Sequence, residues 1–187
     1  MISTDNRRKP VALYYATHDG QARRIAEHIF QRLGSETIAA PQDVGAAVPA
    51  AAEIARASVI VLVAAVRYGK HLPQADRFLT VYRTVQLPPP LALASVNLTA
   101  RKPAKTTATG NAYLRKTIAR HHLTPAVAVA FAGRLDYPRY SWSDRQIIRF
   151  IMLLTGGPTD SSASVEYTSW PAVDAFADRI AELQRRN

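Results

Sequence analysis

Apolar residues fall along this chain in two rhythms. In the first they follow one another without polar alternation: Val11-Ala12-Leu13-Tyr14-Tyr15-Ala16, Ser58-Val59-Ile60-Val61-Leu62-Val63-Ala64-Ala65, Leu91-Ala92-Leu93-Ala94-Ser95-Val96 and Ala126-Val127-Ala128-Val129-Ala130-Phe131. Short runs of this kind, rich in β-branched residues, predict parallel strands covered on both faces. In the second rhythm apolar residues recur every three or four positions. Ile25, Ala26, Ile29, Phe30 and Leu33 do so ahead of Gly34, where a C-terminal helix cap belongs. Similar patterns at about 72–84 and 111–121, and at about 171–184 with Val173, Phe176, Ala177, Ile180 and Leu183, predict further helices. Strands alternating with helices give a doubly wound α/β sheet.

The 187 residues suit one domain, expected over 11–187 behind a flexible tail at 1–10. One segment breaks the alternation. After Gly133 a final helix would ordinarily close the domain, yet Arg134 to about Ala163 intervenes. Within it Ser143 or Asp144 can cap a helix carrying Ile147, Ile148, Phe150, Ile151, Met152, Leu153 and Leu154, ended by Gly156-Gly157-Pro158. Val165-Glu166-Tyr167-Thr168 then reads as a resumed strand. Residues 134–163 are therefore expected to be an insertion that interrupts or extends the fifth strand.

Composition removes several classes of chemistry. With no cysteine, disulfides, zinc ribbons, iron–sulfur ligation and thiol catalysis are excluded, and no metal site is expected. The N-terminal Met1 to Pro10 has no apolar run behind its charges, unlike a secretory signal. The longest apolar runs fall well short of the roughly 20 residues that span a bilayer.

The formal charge is +10, and its placement says more than its size. Residues 61–149 carry 14 bases against 3 acids, and no carboxylate occurs between Arg77 and Leu135. A local positive surface of this kind suits anionic membranes, acidic small molecules or nucleic acid. The basic residues lack the interleaved aromatics of a single-strand platform, and no helix-turn-helix or zinc pattern accompanies them. A nucleic-acid-binding module is thus a reading that rests on charge alone.

The strand ending at Ala16 runs into Thr17-His18-Asp19-Gly20-Gln21-Ala22 and then a helix. Backbone N–H groups, the Thr17 hydroxyl and the helix N-terminus together suit a phosphate. An ordinary β–α turn with glycine at a positive φ fits the same residues. The stretch Leu13 to Ile29 resembles the flavodoxin FMN-phosphate signature, with Ala22 standing where that family usually has threonine. One missing hydroxyl weakens phosphate retention by about 1.5–3 kcal/mol if no other donor replaces it.

Interior motifs narrow the resemblance. Val66-Arg67-Tyr68-Gly69, Ser95-Val96-Asn97-Leu98 with Ala100-Arg101-Lys102-Pro103, Arg134-Leu135-Asp136-Tyr137-Pro138-Arg139-Tyr140 with Trp142 and Asp144-Arg145, and Gly156-Gly157 with Thr159-Asp160 resemble the quinone-linked protoporphyrinogen IX dehydrogenases. Those are long-chain flavodoxin-like enzymes of bacterial haem synthesis. The resemblance runs from about Val11 to Ala177 and implies a five-stranded parallel sheet in the order 2-1-3-4-5.

It also implies roles for individual residues. FMN would be held by Thr17, His18, Asp19, Gly20, Gln21 and Ala22 at its phosphate. Arg67, Tyr68 and Gly69 would form one wall of the ring, and Asn97, Leu98, Thr99 and Arg101 another, with Asn97 reading the pyrimidine edge. Arg67, Arg101, Lys102, Arg134 and Arg139 would meet the propionates of protoporphyrinogen IX, since arginine suits bidentate carboxylate binding. Arg115, Lys116 and Arg120 read as a solvated helix face. His18, His71 and Tyr68 are candidate proton acceptors, none of them singled out. The apolar insertion helix, with Arg139, Arg145 and Arg149 and with Tyr137, Tyr140 and Trp142, either lies in an anionic membrane interface or covers the sheet edge. The implied function is FMN-dependent oxidation of protoporphyrinogen IX with menaquinone or ubiquinone as acceptor, peripheral to the cytoplasmic face of the bacterial inner membrane. A flavodoxin-like electron carrier or NAD(P)H quinone reductase is the alternative on the same fold, although small electron-transfer flavodoxins are typically acidic.

Overall fold

The computed structural model describes residues 9–136 and 164–187, with 142, 146 and 153 between them. Residues 1–8 of the tail expected over 1–10, and most of the insertion, including Arg139 and most of the apolar helix, lie outside the described residues. Strand β1 (Ala12–Ala16) enters helix α1 (Gln21–Leu33), and a short β2 (Gln42–Asp43) and α2 (Ala51–Ile54) precede β3 (Ile60–Arg67). Then come β4 (Lys70–His71), α3 (Pro73–Tyr82), β5 (Leu91–Val96), α4 (Ala112–Arg120) and β6 (Val127–Phe131). After β7 (Arg134–Asp136) and β8 (Ser164–Glu166), helix α5 (Trp170–Arg186) closes the chain.

The parallel strands lie side by side as β2-β1-β3-β5-β6, which is the expected 2-1-3-4-5 when parallel strands alone are numbered. Because successive side chains of a strand point to opposite faces, each apolar run feeds two cores. Leu13, Val61, Val63, Ala92 and Ala94 face α1 and α5, where Ile25, Ile29, Val173 and Ile180 cover them. Tyr14, Ile60, Leu62, Leu91 and Leu93 face the other way onto Ile54, Phe78, Leu79 and Leu114. Both faces are therefore dry, which explains why these runs show no alternation. Tyr82, buried at the end of α3, donates its hydroxyl proton to the Pro89 carbonyl at 2.7 Å and so ties α3 to the turn that starts β5.

Three features depart from the sequence reading. The second strand, which no apolar run marks, is only two residues long, with Tyr14 and Tyr15 of β1 paired to Gln42 and Asp43. Strand β3 does not stop at the loop but folds back antiparallel on β4, pairing Val66 with His71 and Arg67 with Lys70. Finally, the segment expected to resume the fifth strand pairs elsewhere. Strand β8 lies antiparallel to β7 in a separate two-stranded sheet, Leu135 opposite Val165. The hydrogen bonds that would continue the main sheet are spent instead on joining the two ends of the insertion at a neck.

Phe78 is fully buried, and its ring centroid lies 4.8 Å from that of Tyr14. Phe78→Ala is expected to cost about 3–5 kcal/mol, read as a lower urea midpoint with an unchanged denaturant slope.

Candidate functional site

In an open sheet of this order the carboxyl ends of β1 and β3 face the crevice where the strand order reverses, and ligands bind there. Three loops meet at that edge because β1, β3 and β5 are neighbours: the turn after β1, the β3–β4 hairpin, and the segment after β5.

The turn after β1 is built to leave backbone donors exposed. Gly20 sits in the left-handed region (φ 88°), and a Cβ there would meet nothing within 4 Å. Its N–H donates to the Thr17 hydroxyl oxygen at 3.0 Å, which closes the turn from within. Helix α1 has no side-chain cap and no carboxylate in its first turn, so its first N–H groups and positive end face the crevice. These features fit a phosphate. His18 and Asp19 point outward, half-exposed and 3.8 Å apart. Ala22 is fully buried within the core, so this position offers the phosphate its backbone N–H alone.

Gln21 turns away from the crevice. Its side-chain amide donates to Glu166 Oε1 at 3.1 Å and to the Thr168 hydroxyl at 2.8 Å, while Arg24 donates to Gln21 Oε1 and Glu166 Oε2. Thr168 in turn donates to the Ala132 carbonyl just past β6. The first turn of α1 is thereby clamped to the neck of the insertion. Arg134 reinforces that neck with a bond to Ser164 at 2.9 Å.

The hairpin tip is a two-residue turn with both central residues at positive φ, Tyr68 at 50° and Gly69 at 77°. That combination matches the twist of the paired strands. Tyr68 is 63% exposed at this tip. The Arg67 guanidinium carbon lies 4.9 Å from the Tyr68 ring centroid, and Arg67 also donates to its hydroxyl at 3.2 Å. An exposed aromatic face beside an open phosphate turn fits an isoalloxazine ring.

Beyond β5, Leu98–Arg101 form one 3-10 turn and Pro103–Lys105 another. Arg101 is half-buried and donates to the Leu98 carbonyl at 3.2 Å, whereas Lys102 is exposed. Asn97 is 5% exposed and its side chain faces inward. Its Nδ2 donates to Ser95 Oγ at 3.0 Å, while its Oδ1 accepts from Thr99 at 2.6 Å and from Asn111 at 3.1 Å. The amide expected to read a pyrimidine edge is thus engaged within the protein, because a buried amide must find partners where it lies.

His71, a candidate proton acceptor by sequence, is also buried. Nδ1 lies 2.8 Å from Thr117 Oγ1 and Nε2 2.8 Å from Ser95 Oγ. Burial pushes its pKa down to about 4; the nearby Asp76 carboxylate works against that shift, and Arg120 and His121 add to it. A neutral ring with both nitrogens occupied takes no proton from a ligand in the crevice. Tyr68 and His18 remain at the surface. The sequence reading missed Asn111 as a cap, although an Asn opening a helical pattern is a recognisable start signal; it accepts from the N–H groups of Tyr113 and Leu114. The Glu166 clamp had no signal, since its partners are far apart in sequence.

Comparisons with known proteins bear on the family and the fold. A flavodoxin domain model matches residues 12–162. The chain is 38% identical over 179 residues to the protoporphyrinogen IX dehydrogenase [quinone] of Escherichia coli K12, covering 91% of this chain and 94% of that one. It is 37% identical over 171 residues to the protein of the same name from Leishmania major, covering 91% and 74%. Among solved structures, oxidised flavodoxin 1 from Bacillus cereus superposes with a TM-score of 0.54 at 13% identity, over 92% of this chain and 97% of that one. The rubredoxin:oxygen oxidoreductase of Desulfovibrio gigas does so with a TM-score of 0.57 at 12% identity, over 96% and 37%. These two structures speak for the fold alone.

His71 makes stability depend on pH in a defined direction. Its folded pKa lies below the ordinary value of 6.5, so the unfolded chain binds the proton first. Its contribution is complete above about pH 6.5 and is lost as pH falls toward 4, on the order of 3 kcal/mol in all. Urea midpoints measured from pH 7 to 4.5 are expected to fall less steeply in His71→Gln than in the wild type.

Proposed function

The chain belongs to the flavodoxin-domain family and, within it, to the quinone-linked protoporphyrinogen IX dehydrogenases, and from that membership we propose how its residues carry the reaction. The enzyme oxidises protoporphyrinogen IX to protoporphyrin IX with FMN, and a quinone accepts the electrons. Membership favours this over a general electron carrier, an NAD(P)H quinone reductase or a nucleic-acid-binding module. The observation that carries the assignment of the site is the convergence of an open phosphate turn and an exposed aromatic hairpin at the carboxyl edge of the sheet.

FMN held at this edge would supply two-electron redox chemistry between the porphyrinogen and the quinone, needed three times for each molecule aromatised. The polypeptide binds, orients and excludes water. The Thr17 hydroxyl proton and the first N–H groups of α1 hold the phosphate, with Gly20 shaping the turn, and Tyr68 covers a ring face with Arg67 steadying it. Leu98 and Arg101 border the ring from the other side.

The substrate's propionates meet the positive loops at the same edge, with Arg67, Arg101, Lys102 and Arg134 supplying charge. Arg139 carries the same expectation from sequence. A porphyrinogen and a quinone are both poorly soluble in water, which supports a peripheral position on an anionic membrane at the cytoplasmic face of the bacterial inner membrane. Among the described residues no helix is long and apolar enough to cross a membrane. Exposed Lys70, Lys102, Lys105, Arg115 and Lys116 supply charge for headgroup contact.

Under anaerobic conditions, the FMN-loaded protein with protoporphyrinogen IX and menaquinone or ubiquinone is expected to generate porphyrin fluorescence well above the protein-free rate; flavin bound without such acceleration overturns the substrate assignment. Lys102→Ala is expected to raise KM for the porphyrinogen several-fold with kcat little changed, because an ion pair to a propionate is made alike in ground and transition states. Flotation with phosphatidylglycerol vesicles is expected at low salt and is lost at high salt.

A further inference from the structure

One chain of buried hydrogen bonds links the two walls of the crevice. It starts on α4 at Thr117, passes through the His71 ring to Ser95 on β5, and continues from Ser95 to Asn97. Asn97 passes it to Thr99 and to Asn111, and Asn111 returns it to α4 as the cap and also donates to the Lys105 carbonyl at 2.9 Å. Ser95, Asn111, Thr117, Asn97 and His71 are all buried, so each bond is made in a medium where losing one leaves a polar group stranded.

The chain also has a direction. Ser95 accepts from Asn97, and its own proton needs an acceptor; among the described residues His71 Nε2 lies within reach, at 2.8 Å. The ring proton therefore sits on Nδ1 and goes to Thr117. A doubly protonated ring would take away the acceptor that Ser95 needs. His71 stands two residues beyond the hairpin tip, and the tip lies near α4, since a Cβ added at Gly69 would stand 4.0 Å from the Tyr113 ring.

We propose that His71 is a positioning residue that sets the Tyr68–Gly69 hairpin and the Asn97–Arg101 segment in one fixed relation, so that the flavin ring meets two walls already in place. The idea rests on the FMN site described above. His71 touches neither cofactor nor substrate in this role and acts through Ser95 and Asn97. Preorganised walls spare the bound state the cost of ordering two loops, so the proposal is about affinity and ring environment rather than chemistry.

The test is FMN binding to apoprotein, followed by flavin fluorescence quenching and the visible circular dichroism of the bound flavin. Wild type, His71→Gln, His71→Asn and His71→Leu are compared alongside their urea midpoints. The Gln amide reaches the place of Nε2 and keeps an acceptor for Ser95, whereas Asn keeps only the Thr117 end and Leu keeps neither. His71→Gln is expected to bind within threefold of wild type with an unaltered flavin spectrum. His71→Asn and His71→Leu are expected to weaken FMN at least tenfold and to change the dichroism. If Leu fails to fold, the comparison of Gln with Asn decides. Overturning results are equal affinity and spectra across the folded variants, or affinities that track urea midpoints instead of the Ser95 contact. Wild type that binds FMN and produces porphyrin while the variants match it sinks this inference alone. Wild type that binds FMN and yields no porphyrin sinks the substrate reading alone, and wild type that takes up no FMN sinks both.

Discussion

A parallel sheet has no face that water can be left to cover, because each of its crossovers lays a helix against it. In this protein that requirement is met twice over along β3, where Val61 and Val63 serve one core and Ile60 and Leu62 the other. The helices take their faces from it. Helices α1 and α5 pack side by side on one surface, joined at their rims by His28 to Asp174 at 2.8 Å and Arg32 to Asp178 at 3.1 Å. Those rim contacts are partly exposed and worth little by themselves; the burial of Ile25, Ile29, Val173 and Ile180 is what holds the layer.

Once both faces are closed, the ends of the strands are the only places where backbone polar groups can meet a ligand. Gly34 and His122 turn the chain after helices α1 and α4, while three further positive-φ residues, Gly20, Tyr68 and Gly69, lie at the carboxyl ends. The same edge carries the polar residues that the core would reject. Ser95 is the one polar member of an otherwise apolar β5, and it is tolerated because His71 and Asn97 satisfy it. A requirement of packing thus becomes a scaffold for the site, since the hydrogen bonds that keep Ser95 content also bind the hairpin to the neighbouring loop.

The Glu166 clamp extends the logic to the neck of the insertion. A single carboxylate there accepts from Gln21 and Arg24, linking the first turn of α1 to the neck. Gln21 was expected to face the phosphate. Its side chain instead fastens the first turn of α1 to the neck, a positional contribution that a motif cannot distinguish from direct contact.

The alternation of apolar runs and helical stripes was sufficient to give the α/β class and the positions of four strands and four helices, because covering both faces leaves a mark on every strand residue. The quoted motifs identified the family, and Thr17 to Gly20 was readable as a tight turn between strand and helix because such a turn needs glycine at one position. The β3–β4 hairpin, the pairing of β8 with β7, and the inward turn of Gln21, Asn97 and His71 left no such mark. The pairing of β8 with β7 and the inward turn of Gln21 and His71 depend on partners distant in sequence, from 24 residues between His71 and Ser95 to 147 between Gln21 and Thr168, whereas the β3–β4 hairpin and Asn97 find theirs within 14 residues. Burial is a property that a residue's own neighbours in sequence announce; the partner that satisfies a buried polar group is chosen only when the chain has folded and brought that partner within 3 Å.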